Sequence, residues 1–586
     1  MEKNQQLIGL MLMMTLLMLY FWMFGTESQT SSLPQTSTVK NDSLGGQTQD
    51  VAKLENLEVL DSTDFWQKSQ LSQPSYSSLE NDDVLIKFSS KGGYPVEVTL
   101  KNFVTYQKKT LVLFNELDNR FSERLGELNL DRLGFELLQN DKLTLSYALK
   151  DSTGKSLVKT YRLAEKGFEL YYDLKVSGLA EKVSFKWNQR MRPFEQDIYQ
   201  NRIGATVNFY DSINGLDYLS ETSMSYQEDF ATSPVKWMAF KQKFFNSGFI
   251  STQGFDSLRV WSQANEADES IVKTVSANLI YQAGQPMKFY FGPNEYKTCK
   301  AVLPGHAYEK NVNQGWALFA FINRNLIAPI FHFLEDYTSN YGLIILILVI
   351  FIKSLLLPLV YSSYKSMATM RVLKPELDEI KAKHGDNLTA IQQEQMQIYQ
   401  SFGVNPLAGC IPLLAQMPIF LALYNFFPNA IELRQKEFLW ATDLSSYDSI
   451  LDLGINLPFY GDHVSLFTIL WVVTTIIQTQ MNSQMATQPA QMKIISYVMP
   501  FMFLFMFNSF ASGLTYYYFL SNIITISQQL LINKYFIDDK KIRAKMEERR
   551  AKRANSPAKG SFMQNLQKEL ENQRNKQKTN PNKKKK

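Results

Sequence analysis

The stretch Tyr341–Tyr361, YGLIILILVIFIKSLLLPLVY, decides how this chain is read. It is apolar over about 20 residues, the length a helix needs to cross the hydrocarbon core of a bilayer. One charge interrupts it. Lys353 stands about ten residues from either end, and an ammonium at mid-depth costs roughly 2.5–3.5 kcal/mol on insertion scales. A lysine near a helix end can snorkel to the headgroups, but from here the reach is long. A buried carboxylate would normally offset the charge, yet no other apolar segment of the chain contains Asp or Glu. The cation is therefore expected in a cavity open to one side of the membrane, solvated by water and neutral polar groups.

Outward from this helix, further apolar segments fall at Leu7–Gly25, Leu407–Phe427, Val464–Thr479, Ile494–Phe507 and Leu514–Ile532. The first ends in bulky aromatics without a small-residue exit site, so it reads as an uncleaved anchor over 1–25. The third and fourth are short, about 14–16 residues, and predict a locally thinned bilayer. Gly315–Phe333 carries Asn323, Arg324 and Asn325 amid apolar residues. Its place before a span favours an amphipathic helix in the membrane interface, with a buried helix of the preceding domain as the alternative. The spans are expected at 341–361, 405–427, 464–480, 494–510 and 511–533. The interfacial region is 303–340, the outer loop 428–463 and the inner loop 481–493. Between the first two, 362–404 reads as a helical hairpin turning at GDN 385–387 and stopping at Gly403. Lys and Arg concentrate in that hairpin and in the tail 534–586, which holds 18 Lys/Arg against 6 Asp/Glu. Both belong in the cytoplasm. Six spans then place both termini inside and the large domain outside. The tail is too charged to bury a core and is expected to be disordered when alone.

The 586 residues have ordinary apolar content, 45%, and a mean hydropathy of −0.21. The average conceals a division. Residues 26–80 are rich in Ser, Thr, Gln and Asn and read as a linker. From 81 to 302 the pattern has period two, as in VLIKF (84–88), VEVTL (96–100) and KVSFKWN (182–188). Turn signals at KGGYP (91–95), DSTGK (151–155) and EKG (165–167) separate such runs. A large antiparallel β-sandwich is expected. Enzyme chemistry finds little support: the four histidines share no ligand spacing and none lies in 81–302. No phosphate loop, nucleophile elbow or zinc-protease motif is present, so no cofactor, metal or catalytic residue is expected. Cys299 and Cys410 lack metal-ligand spacing and are not expected to pair. Polar uncharged residues recur in the spans, among them Gln416, Thr474, Thr475, Gln478, Tyr517, Tyr518, Ser521 and Asn522. Singly, each suits a helix-packing hydrogen bond; together with Lys353 they could line one wet groove. A secondary transporter would be expected to carry intramembrane acids or inverted repeats, and neither is seen.

Four stretches resemble one family: YFGPNEY (290–296), NPLAGCIPLLAQMPIFLALY (405–424), ELRQKEF (432–438) and SGLTYYYFLSNIITISQQ (512–529). They are similar to the YidC membrane protein insertases in the long, Gram-negative form. The resemblance implies a six-span α-helical membrane domain with a five-helix insertase core and a periplasmic β-supersandwich similar to sugar mutarotases. It implies a bacterial inner-membrane location. The partners it implies are nascent membrane proteins, the Sec translocon, the lipid bilayer and, through the basic tail, the ribosome; DNA is not among them. Lys353 looks like the family's conserved groove arginine, keeping the charge but losing the planar fork. Met417, Pro418 and Phe420 match substrate-contacting positions of the third span, and Tyr517 and Tyr518 the tyrosine pair of the last. With Gln416 and Gln478 these form the expected substrate groove.

Overall fold

Alternation in the sequence becomes alternation in burial. Along Lys182–Arg190 the side chains of Val183, Phe185, Trp187 and Gln189 turn inward while their neighbours face out or sit half-buried. The computed structural model describes residues 73–151, 154–385, 387–404, 411–457, 460–485 and 490–554, and it divides into two units between Val312 and Asn313. The expected anchor and nearly all of the expected linker lie outside the described residues, as do Cys410 and the end of the tail.

The first unit holds antiparallel sheets of four, nine and six strands. Their inner faces meet in an aromatic core where Phe121, Phe185, Trp187, Phe249 and Phe289 lie with ring centroids 4.4–6.4 Å apart. The turn glycines behave as expected: Gly92, Gly93 and Gly167 all have positive φ. One buried ion pair crosses this core. The Lys159 ammonium lies 2.7 Å from Glu123, both side chains fully buried. It also donates to the Gly92 carbonyl at 2.7 Å and sits 3.6 Å from the centre of the Tyr94 ring. Glu123 accepts from the Tyr172 and Tyr281 hydroxyls.

Two expected boundaries move. The first strand is Tyr76–Glu80, inside the expected linker, because Leu79 alone supplies an inward anchor there. The unit also runs ten residues past 302, to Val312. Tyr308 is buried against Trp237 and Tyr290, and its hydroxyl donates to Asn246 at 2.6 Å. Nearby Cys299 is a free thiol, pushed up to about 12 by burial.

In the second unit the helices are numbered after α1 (Ile198–Ile203) and α2 (Tyr296–Val302) of the first. The expected interfacial helix is two pieces, α3 (Ala317–Ile322) and α4 (Ala328–Glu335), joined by a π-turn at Asn323–Ile327. Buried Asn323 donates to the carbonyls of Gln314 and Ala422. Ile327 and Phe331 are fully buried in the helical core while Phe321 and Phe333 face out. This segment therefore belongs to the helical unit, which excludes the alternative of a helix of the sandwich.

Helix α5 (Tyr341–Val372) begins where Asn340 caps Leu343 N at 3.0 Å. It continues eleven residues beyond the expected end at 361. Among the described residues it is the one helix that by itself is long and apolar enough to cross a membrane. The hairpin thus starts late, as α6 (Lys374–His384) and α7 (Leu388–Phe402). Pro375 opens α6, Asn387 caps α7, and Gly403 ends it with φ 67°. Next come α8 (Ile411–Asn429), α9 (Leu466–Met485), α10 (Ala490–Phe507) and α11 (Ser512–Tyr535). Helices α9 and α10 have 20 and 18 residues, longer than their apolar stretches because polar ends complete them. Their apolar stretches, the quantity that sets hydrophobic mismatch, stay about 16 and 14 residues as read from the sequence. Within the expected tail, Asp539–Ala554 forms helix α12, not alone but packed on the hairpin. Met546 is buried against Leu373, Leu377, Ile380, Ile391 and Phe402 of the hairpin region. That burial was unavailable to a reading of the tail alone.

Candidate functional site

Lys353 is 5% exposed and lies on the inward side of α5, the face that also buries Ile345, Leu348, Val349, Ile352 and Leu356. Its ammonium donates to Gln416 Oε1 of α8 at 3.4 Å, longer than a normal N–H···O bond. Among the described residues no carboxylate pairs with it. A buried ammonium has three donors, and this one is left with a weak neutral acceptor.

Helices α5, α9 and α11 pack together, and so do α8 and α11. On α11 the Tyr517 and Ser521 side chains are buried one turn apart, and neither hydroxyl has a hydrogen-bonding partner among the described residues. One residue on, Asn522 donates to Thr475 at 2.8 Å and Thr474 at 3.2 Å, clamping α11 to α9. Tyr518 stacks on Trp471 at 5.0 Å, meets the Phe420 ring at 5.0 Å, and donates to the Phe420 carbonyl at 3.4 Å.

The expected groove residues divide accordingly. Lys353 meets Gln416, and Phe420 meets Tyr518. Pro418 lies between Gln416 and Phe420 inside α8, half-buried. Met417 faces outward at 36% exposure. Gln478 lies one turn along α9 from Thr474, half-buried, and is not brought to Lys353 by a hydrogen bond. The other polar residues expected along the groove, Ser521, Asn522 and the Thr474–Thr475 pair, lie where α9 and α11 pack, with Asn522 bonded to both threonines.

The end of the bundle at the N-terminus of α9 is tied by a carboxylate. Asp448 accepts from Trp440 Nε1, Ser465 Oγ and the Leu466 and Phe467 amides, capping α9 at its N-terminus. Asn508 accepts from Ser465 N and donates to the Tyr460 and His463 carbonyls. This end is closed by satisfied polar groups, whereas those around Lys353, Tyr517 and Ser521 are not.

Among the described residues, a β-sandwich unit is followed by a helical unit whose longest helix is apolar enough to cross a membrane and buries a lysine that no carboxylate meets, the arrangement of a membrane protein with a separate β domain. The family described as the 60Kd inner membrane protein matches residues 333–541, and the YidC periplasmic domain matches residues 77–329. The membrane protein insertase YidC of Amoebophilus asiaticus is 39% identical over 97% of this chain and 98% of its own. That of Cytophaga hutchinsonii is 39% identical over the full length of both. A crystal structure of an active YidC insertase aligns with 79% of this chain and 92% of its own, at 18% identity and a TM-score of 0.35. The chain belongs to the YidC family of membrane protein insertases.

Proposed function

We propose that the polar segment of a nascent membrane protein enters the bundle beside Lys353, in a groove lined by Gln416, Met417, Pro418, Phe420, Gln478, Tyr517 and Tyr518. The observation that carries this reading is Lys353 itself, buried among apolar helices and meeting, among the described residues, a neutral amide at 3.4 Å and no carboxylate. Such a charge is tolerable where water reaches it, and water there also serves the unpartnered hydroxyls of Tyr517 and Ser521. A cation in a wet groove lowers the cost of drawing a polar, often acidic, segment partway into the bilayer. The apolar segment of the substrate then leaves sideways into lipid, drawn by hydrophobic transfer.

In this reading α5, α8, α9, α10 and α11 are the five spans of the insertase core, with the N-terminal anchor as a sixth. Both termini and the hairpin are cytoplasmic, and the sandwich and the loop 428–463 are periplasmic. The hairpin receives nascent chains, alone or alongside the Sec translocon. The basic tail docks on ribosomal RNA, with counterion release favouring the contact. Site-specific photo-crosslinking of stalled nascent chains tests the groove: adducts at Met417, Phe420 and Tyr517 are expected, and their absence refutes it. Co-sedimentation with ribosomes across a salt series, intact protein against protein truncated after Phe536, tests the tail. Equal binding by both forms, or a flat salt response, removes the docking role.

A further inference from the structure

Helix α12 carries a net-basic sequence, DKKIRAKMEERRAKRA, yet it is seated on an apolar face. Met546 is 3% exposed against Leu373, Leu377, Ile380, Ile391 and Phe402, with Ile542, one turn earlier, partly buried at the same cluster. Four contacts border this seat. Arg543 reaches Glu376 of α6 at 2.5 Å and the Val372 carbonyl at the end of α5 at 3.4 Å. Arg371 reaches Asp539 at 2.7 Å. The Arg550 guanidinium lies over the Phe402 ring, 4.9 Å from its centre. The ion pairs are partly exposed, the class that contributes least to stability, and only two apolar side chains of α12 enter the cluster. The attachment is shallow, and what it covers is apolar.

We propose that α12 is a releasable cap: it occupies, in cis, the face of the α6–α7 hairpin on which an apolar helix of a nascent chain docks. The proposal rests on the reading of the hairpin as the receiver of nascent chains. An amphipathic helix in an apolar groove is a standard recognition mode, anchored by side chains one turn apart, and Ile542 and Met546 have that spacing. A nascent membrane helix carries far more apolar surface than these two residues, so it outcompetes α12 when close at hand. In the interval the cap keeps Leu377 and Ile380 from exposing a sticky patch.

The test uses full-length protein in nanodiscs and ribosome-stalled nascent chains bearing a photo-crosslinker in their first apolar segment. Adducts are mapped to hairpin peptides, and amide exchange of 374–402 and 539–554 is followed in parallel. Arg543→Glu combined with Met546→Asp should release α12, raising its exchange, and increase hairpin adducts at least threefold. Arg543→Glu with Glu376→Arg, which restores the ion pair with Met546 intact, should return the yield to that of the unaltered protein. Equal adduct yields with α12 released overturn the cap but leave the hairpin as receiver. No hairpin adducts in any form overturn both. Lost protection throughout the hairpin with falling adducts also overturns the cap, because α12 would then be a strut.

Discussion

Replacing Lys353 with methionine separates a structural lysine from a functional one. The two side chains are similar in length, and the change removes the ammonium and its bond to Gln416. At 3.4 Å that bond is long, so its loss costs less than about 1 kcal/mol. Removing a charge from the apolar part of a span recovers roughly 2.5–3.5 kcal/mol. Because water in the proposed groove already solvates part of the charge, the balance favours Lys353→Met by at most roughly 2 kcal/mol. The unfolding midpoint of the full chain in nanodiscs should therefore stay level or rise. Insertion should move the other way. In cells depleted of their own insertase, Lys353→Met and Lys353→Glu should fail on substrates with acidic translocated segments, while Lys353→Arg retains function. The panel needs such substrates, because an uncharged segment makes less use of the cation. A lower midpoint for Lys353→Met would mean that the ammonium holds the bundle together. Full complementation by Lys353→Glu would remove the cation from the mechanism.

Two further expectations concern the sandwich. Lys159→Met leaves Glu123 buried without its counter-charge and should destabilise the domain by about 3–5 kcal/mol in denaturant unfolding, with Lys159→Met/Glu123→Gln recovering much of the loss; equal losses in both would contradict the coupling. Lys273, fully buried and donating to the Ala205 and Glu221 carbonyls, is pulled down by burial from 10.5 to about 8. Its folded value lies below its unfolded one, so below pH 8 both states are charged and the burial cost is fully present. Between about pH 8 and 10.5 the unfolded chain binds the extra proton, and stability rises with pH. Lys273→Gln should lose this rise relative to the unaltered protein; parallel pH curves would count against it.

The sandwich was legible where a strand buries alternate residues, as along Ser156–Leu163 and Lys182–Arg190, because period two survives there in the sequence. Helix ends were legible where a single residue sets them, as at Asn387 and Gly403. The run of α5 to Val372 was hidden, since the stop lies at Pro375 and nothing polar ends a helix by itself. The π-turn at Asn323 was hidden too: its amide answers the Ala422 carbonyl on another helix, a partner 99 residues away. Helix α12 escaped notice for the same reason. Two apolar residues in a basic segment mean little until a facing apolar surface exists. Lys353 announced itself as a lone charge in its helix, and Ser521, Asn522 and Thr475 were legible as polar residues in apolar segments, but the pairing of Asn522 with Thr474 and Thr475 appears only in the packing of α11 on α9.

Two buried lysines in one chain contrast a structural role with the one proposed for the groove. Lys159 is met by a carboxylate, a carbonyl and a ring face, so its charge is spent internally. Lys353 is buried too, and among the described residues it holds an amide oxygen at 3.4 Å and no carboxylate. A groove that must attract incoming acidic segments cannot keep a resident acid, because a paired ammonium has little field left for a guest. Gln416→Glu supplies that resident acid with almost no change of shape, at the one position already in contact. It should raise the unfolding midpoint and slow insertion of acid-bearing substrates, while substrates with uncharged segments are affected less. Adding Lys353→Gln to it would remove the pair and leave a buried carboxylate, which should cost stability without restoring insertion. Unimpaired insertion of acidic segments by Gln416→Glu would mean that attraction by a free cation is not how this groove works.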